Sequence, residues 1–125
     1  VKLLLDSHAY LGWLADGPDL SGPARAAIAD PSNVVVVSAA AIWEIEIKRA
    51  LGRLDAGDAD LVAEIEANRF VELAVSAEHA AAAARLPAHH ADPFDRMLIA
   101  QSQVEGLVCV TRDPAFEAYG VPCLW

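Results

Sequence analysis

The sequence predicts an α/β fold, a three-layer sandwich in which a mostly parallel sheet of about five strands is flanked by helices. Two observations carry this. Short segments rich in Val and Leu recur along the chain and are apolar throughout, as strands covered on both faces are. Between them lie helical stretches with clear start and stop signals, and strands that alternate with helices build parallel sheets. A length of 125 residues suits one domain around a single core, so residues 1–125 are read as one unit.

Taken in order, Val1–Leu5 is the first strand; the stretch is too short to be the apolar core of a signal peptide. Asp6 follows it and can cap a helix that begins at about His8. Ser21-Gly22-Pro23 opens the next helix, "ARAAIAD", with proline in the first turn, where its missing N–H costs nothing. Val34–Val37 is the second strand, and Ser38 caps "AAAIWEIEIKRAL", which Gly52 can close. Asp58 or Asp60 starts "LVAEIEANR", and Phe70–Val75 forms the third strand. Ser76 then opens "AEHAAAAARL", with Glu78 in its first turn. Asp92-Pro93 is a cap followed by a first-turn proline, with Asp95 three residues after the cap, where an acid suits the positive helix end. Leu107–Val110 is the fourth strand, Asp113-Pro114 repeats the cap-plus-proline pattern, and Val121–Leu124 is the fifth.

Composition narrows the class. Hydrophobic residues make up 55% of the chain, which excludes a disordered protein. No apolar run approaches the ~18–20 residues that span a bilayer, so no membrane partner is expected and a cytoplasmic location is the default. Cys109 and Cys123 lie in strand-like segments and read as reduced thiols; neither has zinc-ligand spacing with the other or with His89 and His90. The formal net charge of −9 argues against strong nonspecific binding to nucleic acid, which draws on clustered Lys and Arg.

In open α/β sheets the active crevice lies beyond the carboxyl ends of the strands. Asp6 and Asp113 stand there, and each is equally readable as a helix cap. Glu44 borders an apolar face of its helix, with Lys48 one turn on as an ion-pair partner, but Glu46 competes and periodicity does not choose between them. Tandem His89-His90 would be awkward to aim at one ion and reads as loop. No glycine-rich phosphate loop, nucleophile elbow or spaced Cys/His set is present. Carboxylate chemistry remains, and oxygen donors suit hard cations such as Mg²⁺ or Mn²⁺.

The segments "LLLDSH", "VVSAAAIWEIEIKRALGRL", "DPFDRMLIAQ" and "LVCVTRDPAF", in this order and spacing, resemble PIN-domain ribonucleases, and among them the VapC-type toxins of bacterial toxin–antitoxin pairs. The resemblance covers essentially the whole chain, including the closing "YGVPCLW", and implies a PIN-like sandwich. It assigns the family's four acidic, metal-binding positions to Asp6, Glu44, Asp95 and Asp113, with Thr111 supporting them and Ser7 keeping the hydroxyl of a usual threonine. Ala41 stands where a hydroxyl is common, and Ser102 where alanine is usual. The implied activity is Mg²⁺- or Mn²⁺-dependent hydrolysis of RNA phosphodiester bonds. The implied partners are a VapB-like antitoxin, an RNA substrate and a second copy in a homodimer.

Elementary electrostatics agrees, because four gathered acids are costly to ionise unless divalent cations offset them. Arg96 and Arg112, each beside a site acid, are candidates for phosphate contact, as is Lys48; surface ion pairing is the alternative for each. Two other functions compete: a noncatalytic PIN-type module that acts through a protein partner, and a related phosphodiesterase acting on DNA.

Overall fold

A computed structural model describes all 125 residues. Its five strands are β1 (Lys2–Leu5), β2 (Val34–Ser38), β3 (Val71–Leu73), β4 (Val108–Val110) and β5 (Cys123–Leu124). Six α-helices connect them: α1 (Ser7–Leu14), α2 (Gly22–Ala29), α3 (Ala39–Ala50), α4 (Leu61–Ala67), α5 (Ala77–Arg85) and α6 (Pro93–Glu105). A 3₁₀ helix, Pro114–Tyr119, links β4 to β5. The sheet order is β3-β2-β1-β4-β5 and every pairing is parallel, so the mostly parallel expectation becomes an all-parallel sheet.

The sandwich follows from period-two side-chain direction in strands buried on both faces. Leu3, Leu5, Val35, Val37 and Val110 pack on one side with Tyr10, Ile28, Ile45, Leu61 and Ile65 from α1 to α4. Their neighbours Leu4, Val36 and Cys109 point the other way, onto Leu98, Ile99 and Phe116. A one-residue slip in β1 or β2 would exchange these two sets.

Caps fix where the helices start. Asp6, Ser21, Ser38, Asp60, Ser76, Asp92 and Asp113 each accept a backbone N–H from the first turn of the element they precede. This selects Asp60 over Asp58 and starts α1 at Ser7, one residue earlier than expected. Gly52 has φ +68°, as a residue closing α3 requires.

The edge strands are shorter than the sequence suggests. Phe70 is buried, but its N–H donates to the Ile65 carbonyl 2.8 Å away and so closes α4 instead of entering the ladder. Val121 likewise packs into the core, and the β4–β5 ladder runs only from Cys109↔Cys123 to Val110↔Leu124. No helix is long and apolar enough to cross a membrane.

The chain leaves β1 in one direction to form β2 and β3, then returns to the other side of β1 for β4 and β5. The order therefore reverses between β1 and β4, and their carboxyl ends open one crevice.

Candidate active site

Asp6 is the first residue past β1 and Asp113 lies three past β4, so the crevice receives one carboxylate from each central strand. Asp6 also caps α1, accepting the Ala9 N–H at 2.8 Å through Oδ1. Asp113 caps the 3₁₀ helix, accepting the Ala115 N–H at 2.9 Å. Cap and site are thus one arrangement, in which the cap fixes the carboxylate that the crevice uses. Thr111, buried at the end of β4, accepts the Asp113 N–H at 3.1 Å, and its hydroxyl also stabilises the Asp6 carboxylate.

Glu44 enters from α3 and is only 6% exposed. The Ser7 hydroxyl donates to its Oε1, and Lys48 Nζ donates to Oε2 at 2.9 Å. Glu46 points outward to Arg49, so of the two only Glu44 lines the crevice. Asp95 enters from the first turn of α6, held there by Asp92, whose Oδ1 accepts both the Phe94 and Asp95 N–H groups. The Asp95 carboxylate does not turn back to its cap. Its Oδ2 lies 2.8 Å from His90 Nε2.

Asp6, Ser7, Glu44, Lys48, Asp95 and Asp113 line a cleft of about 430 Å³ together with His8, Asp92, Arg112 and Pro114, and none of its ten lining residues is hydrophobic. Five of them are carboxylates and two, Lys48 and Arg112, are permanent cations. The imbalance has an energetic signature. Burial pushes the Asp6 carboxyl above its ordinary value against the pull of Thr111 and the Ala9 N–H, and the Glu44 charge pushes it the same way. Burial also raises Asp95, with the Asp92 and Glu44 charges adding to it and the His90 hydrogen bond opposing it. Hydrogen bonding to Glu44 raises the Lys48 ammonium above its ordinary value.

The donor set fits a hard divalent cation: carboxylate oxygens from four separate elements, two of them destabilised as anions, converge on one polar cleft. His90, Asp95 and Asp113 also place one ligand atom each within 4.8 Å of one another.

Two expectations change. Arg96 is not brought to the acids. Its guanidinium donates to the carbonyls of Ala83, Leu86, Pro87 and His90 at 2.9–3.2 Å, latching the loop between α5 and α6. A planar fork is well matched to such a task, and both of its terminal nitrogens are committed to these carbonyls. His90, in turn, was read as loop; its backbone is loop, but its ring faces Asp95 and stands 4.0 Å from Asp113 Oδ2. His89 instead stacks edge-on against Tyr119. The two adjacent rings thus turn in opposite directions, which the tandem spacing alone does not reveal. Arg112 does line the cleft, and its guanidinium lies over the Trp125 ring.

The PIN domain family profile matches residues 3–122. Comparison with characterised proteins by sequence gives no match. Among solved structures, the chain resembles VapBC2 from Rickettsia felis, solved with a DNA fragment from its promoter, at 13% identity and TM-score 0.74, covering 99% of this chain and 98% of that one. It also resembles VapC20 from Mycobacterium tuberculosis, described as a toxin that cleaves the sarcin-ricin loop, at 19% identity and TM-score 0.66, over 95% of both chains. A toxin–antitoxin complex from Klebsiella pneumoniae aligns at 18% identity and TM-score 0.65, over 98% of this chain and 96% of that one.

Proposed function

The chain belongs to the PIN-domain family, and on that premise we propose that it is a metal-dependent endoribonuclease acting as the toxin of a toxin–antitoxin pair. One observation carries the reading: Asp6, Glu44, Asp95 and Asp113 meet at the sheet's reversal point in a cleft with more carboxylates than cations. These four side chains would hold Mg²⁺ or Mn²⁺. A divalent ion bound there supplies an acidified water and offsets charge on the phosphate.

The chain's own residues do the rest. Asp6 and Asp113 are fixed by the backbone N–H groups they cap, so their carboxylates need little reordering. Ser7 and Lys48 hold the two oxygens of Glu44. Lys48 and Arg112 supply the positive charge at the rim that a phosphodiester backbone needs.

The RNA substrate is supported by the sarcin-ricin-loop activity stated for the Mycobacterium relative, and the antitoxin by the Rickettsia and Klebsiella assemblies. A net charge of −9 suits a basic antitoxin segment and favours RNA recognised by shape over nonspecific phosphate binding. A homodimer would find an exposed apolar surface in the groove around Trp43, Phe94 and Met97, where Trp43 is 64% exposed.

Purified protein incubated with structured RNAs and Mn²⁺ tests this. Cleavage that needs the ion, stops in EDTA and is absent on DNA supports the reading. Cleavage that survives EDTA or the Asp6→Asn change overturns the carboxylate mechanism, and no cleavage of any RNA together with no growth arrest on expression favours the noncatalytic module.

A further inference from the structure

We propose that His90 is a nitrogen ligand of the ion held by the acidic cleft, which makes this centre selective for Mn²⁺ over Mg²⁺. The inference rests on the metal-site reading above and adds to it a ligand and a preference. His90 Nε2 lies 2.8 Å from Asp95 Oδ2 and 4.0 Å from Asp113 Oδ2. With the Asp95 and Asp113 oxygens it forms a group of three ligand atoms within 4.8 Å of one another, so one ion could reach all three once it displaces the proton that Nε2 shares with Asp95.

The backbone that carries the ring is also held in place. The His90 N–H donates to the Tyr119 hydroxyl at 2.8 Å, and its carbonyl accepts from Arg96 at 3.2 Å. Tyr119 in turn donates to the Pro87 carbonyl at 2.8 Å, so the His90 backbone is fastened on both sides. The ring keeps about a quarter of its side-chain surface exposed, so an ion has access to it.

The preference follows from ligand chemistry. Mg²⁺ binds oxygen and dehydrates reluctantly, whereas imidazole adds affinity for transition metals, weakest for Mn²⁺ and rising along the series. An otherwise all-carboxylate site gains discrimination by one imidazole.

The test uses the full chain and the metal alone. Calorimetric titration with Mn²⁺ and Mg²⁺ is paired with pulsed electron paramagnetic resonance of bound Mn²⁺, which detects a directly coordinated ¹⁴N. The expected result is a strong ¹⁴N coupling in the unmodified protein and in His89→Gln, lost in His90→Gln, with Mn²⁺ affinity falling about tenfold and Mg²⁺ affinity little changed. Circular dichroism confirms that His90→Gln folds. Tight Mn²⁺ binding without ¹⁴N coupling in the unmodified protein overturns the inference and leaves the metal-site reading standing. No binding of either ion overturns both.

Discussion

At the scale of single residues, the acids of the cleft are more costly to the fold than their count suggests. Asp6 and Asp95 have carboxyls held above their ordinary values, chiefly by burial, which means that the folded protein binds their protons more tightly than the unfolded chain does. The His90 hydrogen bond to Asp95 raises the imidazole as well, so His90 also binds its proton more tightly when folded. All three shifts have the same sign. Stability falls with rising pH wherever the native state holds more protons, so the metal-free protein loses stability above 3.8 for the carboxylates and above 6.5 for the imidazole. Thermal melts in EDTA at pH 5 and pH 8 will show the higher midpoint at pH 5, and added Mn²⁺ will narrow the gap. Asp6→Asn keeps the cap and removes the charge, so its metal-free melting point is expected to match or exceed that of the unmodified protein. Its RNA cleavage is expected to fall at least about 100-fold, or about 2.7 kcal/mol of transition-state stabilisation.

At the scale of elements, the site depends on two devices that hold α6. The Asp92 cap aims Asp95, and Arg96 fastens the loop before it. Asp92→Ala is expected to cost about 0.5–2 kcal/mol, read by denaturant titration. Arg96→Lys keeps the charge yet loses the fork that spans several carbonyls, so it is expected to lower stability and cleavage together. If Arg96 contacted phosphate instead, stability would be unchanged and only RNA affinity would fall. Between strands, the Cys109 thiol is buried in the sheet and pushed up to about 12. It will resist thiol reagents until the protein unfolds, while half-buried Cys123 reacts first.

The elements also mark what the sequence conveys. Caps such as Ser38 and Asp92, and the apolar runs of β1 and β2, are written locally, so helix starts and central strands are legible. Edge strands are not, because Phe70 gives its N–H to α4, and that choice depends on how the helix ends. Asp6 and Asp113 are legible from their places after strands. Glu44 is separable from Glu46 only by resemblance or by seeing which side of α3 is covered. The inward turn of the His90 ring and the Arg96 latch are not legible, because a loop's direction is set by contacts with Tyr119 and with α5, which no periodicity records.

For the molecule as a whole, charge and surface set the partners. With only Lys48 and Arg112 at the rim, RNA binding will depend weakly on salt. A log–log slope of roughly −1.4 is expected, from ~0.7 for each phosphate contact on single strands. Trp43→Glu, on the exposed apolar groove, is expected to shift the protein from dimer to monomer in size-exclusion chromatography with light scattering, with the fold intact by circular dichroism. Asp6, Glu44, Asp95 and Asp113 are proposed to form one ion-dependent hydrolytic site. Its most direct test is the rate of cleavage of a structured RNA by the purified full chain, titrated with Mn²⁺ in the unmodified protein and in Asp95→Asn. Saturable, EDTA-reversible cleavage that Asp95→Asn abolishes is the predicted result. Cleavage at the same rate without the ion, or undiminished in Asp95→Asn, would contradict it.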